Sequence, residues 1–131
     1  MMDKKRILIV DDEAGTRDLL GKYFNKFGFE TAVAEDGAQG LNILQSERFD
    51  AMIADVIMPK IDGLELATRA KAILPELVIT LITGYASFYS LQQAIRVGVH
   101  DYLTKPLNLE ELRNSVESGF RKCHQMAPAG M

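Results

Sequence analysis

Four spots in this chain carry side chains able to do chemistry, and each follows a short apolar run. Asp11-Asp12 follow Ile7-Leu8-Ile9-Val10, Asp55 closes Ala51-Met52-Ile53-Ala54, Thr83 follows Val78-Ile79-Thr80-Leu81-Ile82, and Lys105 follows Tyr102-Leu103-Thr104. Asp11, Asp12 and Asp55 gathered in one place would repel, and at least one would tend to keep its proton. A hard divalent cation resolves that repulsion, and Mg2+ suits oxygen ligands with several waters retained. Lys105 offers an ammonium that can pair with a phosphoryl oxygen, Thr83 a hydroxyl that can hydrogen-bond one, and Gly84 room for close backbone approach. A carboxylate nucleophile, a metal and a cation together suit phosphoryl transfer onto Asp55, giving an acyl phosphate. The loop after Val10 has no glycine-rich turn and opens its helix with negative charge, which disfavours a nucleotide or flavin phosphate cradle.

Taken singly, these residues have plainer readings. Asp11 and Asp12 can cap a helix, Asp55 can serve a turn, and Lys105 can be a solvated loop charge. The chemistry requires them to be neighbours, and the order of elements arranges that. Strand patterns fall near 6–10, 30–34, 50–54, 78–82 and 100–103, and helical periods near 13–27, 37–46, 63–73, 86–97 and 108–122. Glu30-Thr31-Ala32-Val33-Ala34 alternates polar and apolar residues as an edge strand does, whereas the first, third and fourth strands are nearly continuously apolar, as strands covered on both faces are. Regular alternation of strand and helix predicts an α/β doubly wound parallel sheet, five-stranded with five helices. Ligands in such sheets bind beyond the carboxyl ends of the strands, where all four spots fall. Leu19, Leu20, Tyr23, Phe24 and Phe27 are expected to share one buried helical face, as are Leu109, Leu112, Val116 and Phe120. Asp36 with Gln39, and Asn108 with Glu111, have the spacing of capping boxes. In the fourth helix Phe88, Leu91 and Ile95 are expected inward, with Tyr89, Gln92, Gln93 and Arg96 outward and joined by His100 as a partner face.

At 131 residues the chain has length for one ordinary domain, and 47% apolar with 25% charged residues is a globular balance. A net charge of −3 argues against a general grip on nucleic acid. Cys123 is the single cysteine, so no disulfide framework forms and a reducing compartment, the cytoplasm by default, fits. No stretch approaches membrane-span length. His100 and His124 have no ligand-spaced companions, and Cys123 reads as inert. Residues 124–131 lose periodicity and read as a C-terminal tail or the start of a linker.

In chain order, Asp11-Asp12, the run Asp55-Val56-Ile57-Met58-Pro59-Lys60-Ile61-Asp62-Gly63, Thr83-Gly84 and Tyr102-Leu103-Thr104-Lys105-Pro106 resemble the motifs of a two-component response-regulator receiver domain, over residues 5–123. The resemblance implies the flavodoxin-like strand order 2-1-3-4-5. It implies that Asp55 takes a phosphoryl group from a histidine kinase or phosphotransfer protein. Mg2+ would be held by Asp12, Asp55 and the Ile57 carbonyl, with Asp11 acting largely through water. The Lys105–Pro106 bond would be cis. Thr83 and Tyr102 would form the switch, Tyr102 turning into space that Thr83 vacates, and the helix 4–strand 5–helix 5 face would control an output domain or partner protein. A phosphorylation-dependent homodimer belongs to the same expectation. Moving such a two-state element from mostly off to mostly on takes roughly 5.5 kcal/mol of differential stabilisation.

Ile57 and Tyr85 depart from the commonest receiver pattern, being apolar and bulky where they flank the acceptor, and predict slow loss of the phosphoryl group. Two rivals stand beside the receiver, which catalyses only its own phosphorylation and dephosphorylation. One is a small phosphatase or phosphotransferase with an aspartyl nucleophile; Ile57 occupies the place where such enzymes commonly have a second acid. The other is a receiver-like interaction module that is never phosphorylated.

Overall fold

The structure, a computed structural model, describes residues 4–129 of the chain, with side chains described as far as 122. The elements are β1 (Arg6–Val10), α1 (Ala14–Lys26), β2 (Glu30–Ala34), α2 (Gly37–Ser46), β3 (Ala51–Asp55), α3 (Gly63–Ile73), β4 (Val78–Thr83), α4 (Phe88–Val97), β5 (Asp101–Thr104) and α5 (Leu109–Ala129). The strands form one parallel sheet in the order β2-β1-β3-β4-β5. Chain order therefore reverses beside β1, where a crevice opens between β1 and β3.

Because strand side chains alternate, neighbouring residues feed two separate cores. Ile7, Ile9 and Ile53 pack with Leu20 and Phe24 of α1 and with Leu112 and Val116 of α5. Leu8, Val10, Met52 and Ala54 pack on the other face with Leu44 of α2, Leu66 of α3 and Ala94 of α4. Burial on both faces explains the uninterrupted apolar runs of β1, β3 and β4; β2, at the sheet edge, keeps its mixed composition.

The helix starts are fixed by side chains. Asp36 accepts the Gln39 N–H, Asp62 the Glu65 N–H and Asn108 the Glu111 N–H. The Gln39 side chain reaches back to the Glu35 N–H, one residue before the cap, so the expected box at α2 is displaced by one position. A complete capping box sits instead at α4, between Ser87 and Ser90.

Two sequence-based expectations of helix faces need correction. In α4 the buried residues are Ser90 and Ala94, while Phe88, Leu91 and Ile95 are 74%, 39% and 68% exposed. Only small side chains let the helix lie close to the sheet here, so the bulky stripe is turned outward beside Tyr89, Gln92 and Arg96; Gln93 is half-buried. In α1, Leu20 and Phe24 are fully buried but Leu19 and Phe27 are largely exposed, Phe27 lying under the Arg113 guanidinium. The backbone of α5 continues to Ala129. The expectations for the Cys123 and His124 side chains and for residues 130–131 lie outside the described residues. Among the described residues, no helix is long and apolar enough to cross a membrane.

Candidate functional site

Parallel strands deliver their carboxyl ends to one edge, and the expected residues meet there. Asp11 follows β1 and is 1% exposed; Asp55 ends β3 and is 5% exposed; Thr83 ends β4 and is fully buried. One oxygen from each of Asp11, Asp12 and Asp55 lies within 4.8 Å of the others. Lys105, just past β5, places its Nζ 2.8 Å from Asp55 Oδ2. Its backbone N–H donates to the Thr83 carbonyl at 2.8 Å, which ties the lysine to the end of β4. The Lys105–Pro106 bond is cis.

The β3–α3 connection is folded back under Asp55. Asp55 Oδ1 accepts the Ile57 N–H at 2.9 Å, bringing the Ile57 backbone beside the carboxylates. Gly63 N–H donates to the Val56 carbonyl at 2.8 Å, and a Cβ on Gly63 would lie 2.4 Å from the Asp55 carbonyl oxygen. Lys60 bends this loop through φ 71°, a left-handed conformation that costs a non-glycine residue about 1–2 kcal/mol.

Charge at the edge is only partly compensated. Asp11 Oδ1 accepts the Glu13 N–H at 2.8 Å, but Asp11 Oδ2 is the buried side-chain polar atom without a hydrogen-bond partner among the described residues. Burial first, then the neighbouring charges of Asp55 and Asp12, push the Asp11 carboxyl above the ordinary aspartate range, against the Glu13 N–H and Lys105. Partial burial works against the Lys105 ammonium, yet the Asp55 hydrogen bond and the charges of Asp55, Asp11 and Glu13 outweigh it and hold its pKa above the usual lysine value. An orphaned carboxylate oxygen beside two further carboxylates is a donor set that a hard divalent cation fits.

Thr83 and Tyr102, expected from the resemblance to form a switch, each have a hydrogen-bond partner. Thr83 Oγ1 accepts the Tyr85 N–H at 3.0 Å. The Tyr102 hydroxyl shares a hydrogen bond with Ser90 Oγ, the same hydroxyl that closes the capping box of α4. Ile57 and Tyr85, whose backbone N–H groups donate to Asp55 and Thr83, are 54% and 80% exposed.

Residues 7–117 match the family described as the response regulator receiver domain. This chain belongs to that family. It is 37% identical over 117 residues to sporulation initiation phosphotransferase F of Bacillus subtilis, covering 89% of this chain and 94% of that protein. A CheY-like response regulator receiver domain protein from Methanospirillum hungatei superposes with a TM-score of 0.92 at 27% identity, covering 95% of this chain and all of the other. Response regulator TrrA of Thermotoga maritima, solved in complex with Mg(2+)-BeF, has a TM-score of 0.79 at 34% identity, covering 88% of this chain and 98% of that one. In further relatives, mycobacterial response regulators, the chain spans 51% of their length.

In this receiver domain two participants at the edge escaped sequence-based reasoning. Glu13 turns its carboxylate to within 3.7 Å of Lys105 Nζ, and Ser90 anchors Tyr102. Glu13 carried one signal, adjacency to Asp11-Asp12. Ser90 carried none, because a serine inside a helical period reads as solvated surface. His100, expected on the partner face, is half-buried and packs beside Gly119, whose missing side chain makes room for its ring.

Proposed function

We propose that Asp55 receives a phosphoryl group from a phosphohistidine of a partner histidine kinase or phosphotransfer protein, and that the resulting acyl phosphate resets α4, β5 and α5 for a downstream output domain or protein. The observation that carries this reading is the Asp55 carboxylate, nearly buried at a strand end, with Lys105 2.8 Å away and two further carboxylates beside it. A carboxylate oxygen of Asp55 attacks phosphorus as the phosphorus–nitrogen bond breaks, and the imidazole leaves with the bonding pair. Lys105 stands ready to pair with a phosphoryl oxygen. Asp11, Asp12 and Asp55, with the Ile57 carbonyl, are the groups that would hold Mg2+; when bound, it neutralises the charge crowded between carboxylates and phosphoryl oxygens.

Phosphorylation adds about −1.5 to −2 charges beside Thr83. The Thr83 hydroxyl, whose oxygen accepts the Tyr85 N–H, can then donate its O–H to a phosphoryl oxygen, and its movement toward that acceptor opens space toward Tyr102. Any inward turn of Tyr102 acts on its bond to Ser90 and hence on the cap of α4. The exposed stripe Phe88, Leu91 and Ile95 lies on that helix and supports its use as an output surface, a phosphorylation-dependent homodimer included. A cytoplasmic setting fits a kinase partner. Ile57, which cannot act as an acid or base, supports a stoichiometric acceptor over a turnover phosphatase.

Incubation with Mg2+ and acetyl phosphate, followed by intact-mass measurement, tests the reading. One stable phosphoryl adduct, lost in Asp55→Asn, is expected. Rapid turnover without an adduct would instead indicate an enzyme, and no reaction an interaction module. The exposed Ile57 and Tyr85 side chains hinder attacking water, so the adduct should be long-lived. Ile57→Asn with Tyr85→Glu is expected to shorten its half-life by about tenfold, equivalent to ~1.4 kcal/mol of barrier. An unchanged half-life would remove these side chains from the account.

A further inference from the structure

We infer that Glu13 is a positioning residue that shares Lys105 with Asp55 and slows phosphoryl uptake according to the charge of the donor. The inference rests on the acceptor role of Asp55 given above. Glu13 occupies the N-cap position of α1, but its side chain makes no capping hydrogen bond. Its backbone N–H is held by Asp11 Oδ1 at 2.8 Å, which keeps the residue at the mouth of the site. From there its Oε1 reaches to 3.7 Å from Lys105 Nζ, the same ammonium that makes the 2.8 Å bond to Asp55 Oδ2.

One ammonium thus serves two carboxylates from different elements. The Glu13 carboxylate is 66% exposed and lies beside the ammonium that a phosphoryl donor from solvent would engage. It has two effects of the same sign: it offers Lys105 an alternative partner to a phosphoryl oxygen, and it adds a fourth negative charge to a mouth already lined by Asp11, Asp12 and Asp55. Arg17 is a further cation near this mouth, but its guanidinium donates to the Asp11 backbone carbonyl at 2.8 Å and makes no described contact with Glu13. Both effects weigh more on a doubly charged donor than on a singly charged one, and both are screened by salt.

Glu13→Gln keeps the side-chain shape and removes the charge. At saturating Mg2+ and low salt, adduct formation by the Gln variant is expected to quicken about two- to fivefold with acetyl phosphate, a dianion near neutral pH, as suits a largely exposed charge. With singly charged phosphoramidate the gain should be clearly smaller, and near 1 M salt, where the screening length is about 3 Å, the gains with both donors should vanish. A merely structural role would change the two donors alike and without salt dependence. Equal acceleration with both donors, or none with either while the wild type still forms its adduct, overturns the role of Glu13 and leaves the acceptor role of Asp55 standing. A wild type that forms no adduct overturns both.

Discussion

Gly63→Ala is expected to unfold this domain more readily than any surface substitution, with a loss of ~3 kcal/mol in chemical denaturation. The added methyl would lie 2.4 Å from the Asp55 carbonyl oxygen, 2.8 Å from Val56 Cα and 2.9 Å from the Asp55 carbonyl carbon. All three are backbone atoms, so no side chain can swing aside; either α3 or the end of β3 must move. The end of β3 carries Asp55, the proposed acceptor, and its displacement would stretch both the Gly63–Val56 bond and the Lys105–Asp55 pair. Adduct formation should therefore fall along with stability. Gly15→Ala is the matched control. A Cβ at that position in α1 meets nothing within 4 Å, and alanine is the better helix former, so a gain of about 0.5–1 kcal/mol is expected. Equal midpoints for the two variants would show that the β3–α3 turn is looser than its geometry.

Asp11→Asn should have the opposite sign in metal-free protein. A carboxylate with 1% exposure, one oxygen unpartnered, and Asp12 and Asp55 as neighbours destabilises the fold that holds it. The amide keeps an acceptor for the Glu13 N–H and brings a donor toward the neighbouring carboxylates. A gain of about 1–2 kcal/mol in the presence of a chelator is expected, the usual exchange of stability for a charged site. The pH dependence follows from the direction of the Asp11 shift. Its carboxyl in the folded chain titrates above its unfolded value, so the folded state holds the proton more tightly. The stability penalty is full above the folded value and disappears as pH falls to the ordinary aspartate range, so the gap between variant and wild type should close on acidification. Added Mg2+ should reverse the order. At a hundred times its dissociation constant it would stabilise wild type by about 2.7 kcal/mol and the Asn variant by much less. A melting temperature for Asp11→Asn at or below wild type in chelator would show that the orphaned oxygen is satisfied by solvent.

The sheet and its chemistry were legible in the residues for a local reason. Burial on both faces requires long apolar runs in β1, β3 and β4, and a charged group at the end of such a run stands out against them. Parallel connection then forces Asp11, Asp55, Thr83 and Lys105 to one edge without knowledge of any side-chain contact. The faces of α1 and α4 were less legible. Helical periodicity marks an apolar stripe, but which stripe is buried depends on the space the neighbouring elements leave. At α4 that space accepts Ser90 and Ala94 and refuses Phe88 and Ile95.

By itself, then, the amino-acid order determined the alternation of elements, the parallel sheet and the edge on which the acids collect, since these depend on near-neighbour periodicity and strand direction. Only the tertiary structure decided how the charges pair across that edge: Lys105 on Asp55 with Glu13 behind it, Asp11 left with an oxygen unmatched, Tyr102 bound to Ser90. Pairing acts through space over a few ångströms between residues far apart in the chain, as in the Lys105–Asp55 bond spanning 50 positions. Energies at that range are set by distance and burial, which a linear pattern does not contain.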